Sequence, residues 1–139
     1  MENAAPRRLT WIGVILLLWS LAGVAAFVSQ FSMSAETIAA LPPAQRDLWS
    51  HMPMWDWIAY GVATLPAVGA AICLLMSNKL AVPLYLISII GIILQFSYPF
   101  LIAKAFTSLA MAAFPIFILV MAVVQWGLAR HWRAKGYLK

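Results

Sequence analysis

Charge is what this 139-residue chain has least of: only 9% of its residues are Asp, Glu, Lys or Arg. None of these, and neither histidine, lies in the middle of an apolar run, where proton-coupled carriers and ion pathways keep an ionisable group despite its cost. A proton-coupled pump is therefore disfavoured. Cysteine occurs once, at Cys73 inside an apolar run, which excludes an internal disulfide, a paired-thiol redox motif and a cysteine zinc site. The lone thiol reads as packing. The two histidines, His51 and His131, fall on opposite sides of the four-span arrangement developed below, so they cannot together hold a haem iron or a zinc ion within one subunit. No serine, histidine and acid meet at one depth, and no glycine-rich phosphate loop occurs. The expectation is a non-enzyme with no cofactor and no metal.

What the chain has in abundance is apolar surface, at 65% hydrophobic residues and a mean hydropathy of +0.93. Four runs, residues 9–31, 55–76, 80–102 and 109–129, are each long enough at about 1.5 Å per residue to cross a bilayer's hydrocarbon core. The middle two are separated only by Ser77, Asn78 and Lys79, so they form an antiparallel helical hairpin. The predicted fold class is an all-α integral membrane protein: a single domain, an antiparallel four-transmembrane-helix bundle, with one or two short interfacial helices in the first outer loop, residues 32–54. The net charge of +5 does not indicate nucleic acid, because the basic residues sit at the ends of the apolar runs, where they set topology and meet lipid headgroups.

The first run follows Arg7 and Arg8 and reads as an uncleaved span, although Val24, Ala25 and Ala26 would suit a signal-peptide cleavage site. Ala22 and Ala26 offer a small face for close helix approach. In the loop, Ser34 is placed to cap a short helix with Glu36 in its first turn, and Pro43 to open a second. Trp49, Met52, Met54, Trp55 and Trp57 then form an aromatic belt at the membrane surface, and a sugar-stacking platform is the sharper alternative.

In the second span Ala59, Ala63, Ala67 and Ala71 recur every fourth residue and make a smooth ridge for helix packing. Pro66 cannot donate to the Val62 carbonyl, which predicts a kink or a freed acceptor, and Pro115 implies a bend in the fourth span. Lys104 and a cap at Thr107 or Ser108 precede that span. The tail, residues 130–139, is basic and aromatic. Arg7, Arg8, Lys79, Arg130, Arg133, Lys135 and Lys139 share one side with Glu2, against Arg46 and Lys104 on the other, so both termini should be cytoplasmic. Arg7, Arg8, Arg130, Arg133 and Lys135 are the expected contacts to lipid headgroups.

Two polar positions stand out. Asp56, between Trp55 and Trp57 at the outer mouth of the second span, suits a helix first turn or pairing with Arg46; proton or cation binding is the alternative. Gln95 lies well inside the third span and shares a face with Ser88, Gly91 and Tyr98. Its carboxamide needs hydrogen bonds, which Ser88, Tyr98 or Trp19 of another span could supply as interhelical glue. The alternative is a small polar cavity for an uncharged hydroxylated solute.

The run from Trp19 to Phe27, the loop around Leu41-Pro42 and Met52-Pro53, and the stretch from Leu80-Ala81-Val82-Pro83-Leu84 to Gln95 together resemble a family of small four-span bacterial inner-membrane proteins often labelled as sugar transporters. The resemblance implies a bacterial inner membrane and a transport role, with no catalytic or binding residue to carry across. From the residues themselves, the leading expectation is an accessory or scaffold subunit that packs with itself or a larger membrane complex through the alanine ridge and aromatic belt. An oligomeric small-solute carrier, with sugars as one candidate, comes second, and a lipid-binding or sensor module using the basic tail third.

Overall fold

The chain folds as an all-α membrane bundle in a computed structural model that describes residues 7–102 and 109–138. Glu2, Lys104, Thr107, Ser108 and Lys139 lie outside the described residues. Helix α1 spans Arg7–Phe31, and two short helices, α2 (Ala35–Ala39) and α3 (Pro43–Ser50), cover the loop. Next come α4 (Met54–Leu75), α5 (Ala81–Ser97) with a π-helical turn over Tyr98–Ile102, and α6 (Leu109–Ala134). Four helical segments are long and apolar enough to cross a membrane: α1, α4, α5 with its π-helical extension, and α6. The loop helices begin where cap chemistry places them: Ser34 accepts from the Thr37 amide at 3.2 Å, and Pro43 occupies the first turn of α3.

The helices pack in the order α1, α4, α5, α6. Glycine contacts give the antiparallel registers: Gly13 and Gly23 of α1 face Leu75 and Thr64 of α4, and Gly61 faces Phe27. Between α4 and α5 the turn is tight. Ser77 takes a left-handed conformation (φ 55°), the Asn78 amide donates to the Cys73 carbonyl at 2.7 Å, and the Asn78 side chain accepts from the Leu80 amide at 2.9 Å. These two helices approach closely at Gly91, where a Cβ would lie 2.5 Å from the Ala63 amide nitrogen and 2.7 Å from the Val62 carbonyl carbon. Ala59, Ala63 and Ala71 are buried and Ala67 half-buried, so the alanine ridge is consumed inside the chain. Helix α4 runs unbroken through Pro66, and α6 through Pro115.

Two features differ from expectation. Ala22 is exposed, and α1 instead turns Gly13, Leu16 and Ser20 inward; these repeat at three to four residues and so share a face. The tail is also more structured than its charge suggests. Helix α6 continues to Ala134, and a turn at Gly136 (φ 81°) returns Leu138 to the interior. Trp132 and Leu138 are buried because Ala129 and Trp132 extend the apolar stripe of α6, while Arg130, His131 and Arg133 point outward. Together with Leu9, Leu16, Leu74, Ala81 and Tyr85 they form an apolar plug at the end of the bundle that carries both described termini. Arg7, Arg8, Lys79, Arg130, Arg133 and Lys135 are exposed at that same end.

Candidate functional site

Above the plug the four long helices separate and enclose a cavity of about 540 Å³, within the range of small-molecule sites. Its lower part is polar. Ser20 of α1, Tyr85 of α5 and Gln125 of α6 line it, all buried, and the Ser20 and Tyr85 hydroxyls have no hydrogen-bond partner among the described residues. Its walls carry Trp19, Ser88 and Gln95, and the loop contributes Leu41, Trp49 and Met52 at the far end. Trp19 meets Phe117 edge to face, with centroids 5.7 Å apart, and links α1 to α6 across the chamber.

Asp56 lines the loop end of this cavity at 1% exposure. A cap or an Arg46 pair was the plain expectation for it. Asp56 does lie in the first turn of α4, but α4 has no side-chain cap bond, and both carboxylate oxygens lack a hydrogen-bond partner among the described residues. The Asp56 amide is already committed to the Pro53 carbonyl at 3.0 Å, and Pro53 is the residue from which the chain enters α4.

The partners expected for Gln95 are engaged elsewhere. Ser88 donates to the Ala63 carbonyl at 2.5 Å, and Tyr98 donates to the His51 carbonyl at 2.9 Å. Gln95 therefore lines the cavity beside Ser88 without receiving either hydroxyl. Pro66 leaves the Val62 carbonyl without its helical donor, and the serine of α5 binds the neighbouring Ala63 carbonyl.

The aromatic residues of the loop are packed on one another. Trp49 stacks on Trp57 at 5.6 Å, Trp57 lies parallel to Tyr60 at 6.2 Å, and Phe27 of α1 meets Tyr60 at 5.0 Å. Faces that stack in this way are not free for a sugar. Trp55 is exposed and touches Tyr98 edge to face. The ladder fixes α3 over the cavity, so the loop forms part of the site's wall.

Sequence reasoning picked out Trp19, Asp56, Ser88, Gln95 and Tyr98, of which the first four line the cavity; Tyr98 instead ties the loop to the π-helical turn. It missed Tyr85 and Gln125. Tyr85 is three residues before Ser88 on the same face, and Gln125 is a mid-span carboxamide like Gln95, so the same polarity test would have found both. The lining contains one carboxylate, carboxamides and hydroxyls set in aromatic and aliphatic walls, a composition suited to holding a small molecule. Searches of protein-family models, curated proteins and solved structures find no match to this chain, so its resemblance to the four-span family stands on the quoted sequence runs alone.

Proposed function

We propose that this chain binds a small solute inside the membrane and acts as a small-solute carrier in the inner membrane of a bacterium. The observation that carries the proposal is the cavity: Ser20, Asp56 and Tyr85, buried polar side chains from three helices, converge on one space and have no hydrogen-bond partner among the described residues. An unpaired buried polar group costs about 1–3 kcal/mol, a cost that a bound solute's own polar groups offset. The accessory-subunit reading rests on the alanine ridge and the aromatic belt as docking faces, and burial of Ala59, Ala63 and Ala71 within the chain withdraws the ridge.

The exposed Arg7, Arg8, Lys79, Arg130, Arg133 and Lys135 at one end favour cytoplasmic termini and contact with anionic headgroups, with the loop helices on the outer surface. The carrier works as a homo-oligomer, since one bundle of this size offers a single chamber and no second gated half.

The test begins with gentle extraction of the tagged protein from its native membrane, followed by thermal unfolding with a panel of polyols, sugars, amines and carboxylates. Self-assembly without other polypeptides, together with stabilisation by one solute class, is expected. Stoichiometric recovery of a larger polypeptide, with no stabilisation by any solute, would restore the accessory role.

A further inference from the structure

Resting on the solute-binding reading, we propose that the ligand is an amphiphilic organic ammonium ion, its charged head held by Asp56 and its apolar body running down the cavity toward Tyr85 and Gln125. The first ground is the isolation of the carboxylate. Asp56 is 1% exposed, and no Lys, Arg or His lines the cavity, so among the described lining residues it is the sole acid and no base faces it. From α1 the cavity presents Gln30, from the loop Trp49 and Met52, and from α5 and the π-helical turn Gln95 and Pro99. A buried ion left without a counter-charge is severely penalised, whereas a paired and desolvated one is tolerated.

The second ground is the wall chemistry, which separates an organic cation from the other ligands an acid could take. A metal ion of the calcium or magnesium type needs about six oxygen ligands, and Asp56 is the one carboxylate here; no group of three or more metal-ligating side chains occurs among the described residues. A sugar needs donors and acceptors around its whole rim, whereas aromatic and aliphatic side chains make up most of this lining. Aromatic faces suit a cation, which ring quadrupoles attract within about 6 Å. Trp19 is the lining tryptophan whose ring is not held in a stack, since it meets Phe117 edge to face while Trp49 and Tyr60 lie stacked on Trp57.

The third ground is shape. On α4 the lining runs from Asp56 to Ala67, about 16 Å along a helix at 1.5 Å per residue, with the acid at one end only. That asymmetry matches a molecule charged at one end and apolar along its body, while the Gln125 carboxamide and the Tyr85 hydroxyl offer one or two hydrogen bonds at the far end.

The experiment uses one carbon skeleton in three charge states. Phenylbutylamine, phenylbutanol and phenylbutyrate are titrated calorimetrically into the full chain in nanodiscs of zwitterionic lipid, with empty nanodiscs subtracted. The amine is expected to bind at least about tenfold tighter than the alcohol, and Asp56→Asn to bring the two within about twofold, while Asp56→Glu keeps the preference. Equal binding of amine and alcohol by the unaltered protein, or a preference that survives in a folded Asp56→Asn variant, overturns the cation assignment and leaves the cavity a solute site. Binding of none of the three compounds, with none of the wider solute panel stabilising the protein, overturns both. The charge series on the unaltered protein decides even where a variant fails to fold.

Discussion

The hydroxyl of Ser88 donates to the backbone carbonyl of Ala63, joining α5 to α4 one turn before Pro66. The carbonyl that Pro66 leaves without its helical donor is that of neighbouring Val62, so the Ser88 bond is an added tie between the two helices and not a replacement for the donor the proline removes. Ser88→Ala is expected to lower stability by about 0.6–2 kcal/mol in detergent unfolding, the range of interhelical hydrogen bonds in membranes. A loss confined to solute binding would show that the bond serves the cavity instead.

Gly91 admits no side chain. Its Cβ would fall 2.5 Å from Ala63 backbone, which cannot yield as a side-chain tip can. Gly91→Ala should cost about 1–3 kcal/mol as an overpacked contact, whereas Gly127→Ala, where nothing lies within 4 Å, should be neutral or stabilising through helix propensity. Thermal melts of the two variants, run together, check the contrast.

Tyr98→Phe removes the hydroxyl that binds the His51 carbonyl across 47 residues of sequence. Global unfolding should move by no more than about 1.5 kcal/mol, the worth of one ordinary hydrogen bond. Local opening is the sensitive readout. Amide exchange over residues 50–54 should accelerate while that of α4 beyond Tyr60 holds.

Asp56→Asn should raise the melting temperature of ligand-free protein, since a neutral amide costs less to bury than an unpartnered carboxylate. A gain in stability coupled to lost amine binding is the signature of a residue kept for function. A fall in melting temperature would mean that the carboxylate has a structural partner.

Trp132→Ala should be among the most damaging tail substitutions, costing about 3–5 kcal/mol for an aromatic ring removed from a core. Trp132 is 4% exposed despite lying between charged neighbours. Arg133→Ala, at an exposed position, should shift unfolding by no more than about 0.5 kcal/mol.

The bundle itself was legible because transmembrane spans announce themselves by length and composition alone, and the caps at Ser34 and Pro43 because they depend on adjacent residues. The inward face of α5 followed from the spacing of Ser88, Gly91 and Gln95. Other features depend on tertiary neighbours and left no local trace. Ala22 and Gly23 look equally suited to an interface, and only the position of α4 decides between them. The basic and aromatic residues of the tail mark it as juxtamembrane, but do not show that α6 continues through it and buries Trp132 on one face. Asp56 stands in the first turn of α4, as its position suggests, but its burial without a hydrogen-bond partner depends on tertiary neighbours.

The two ends of this molecule are mechanically unequal. Near the termini, Leu9, Leu74, Tyr85 and Trp132 belong to one dry cluster that clamps all four long helices together. Above the clamp, the ring contact between α1 and α6 among the described residues is the pair Trp19 and Phe117. A clamp at one end and a light latch along the arms make a pair of tongs. Substitutions in the clamp are therefore expected to report on folding, and substitutions along the cavity wall on what the cavity holds.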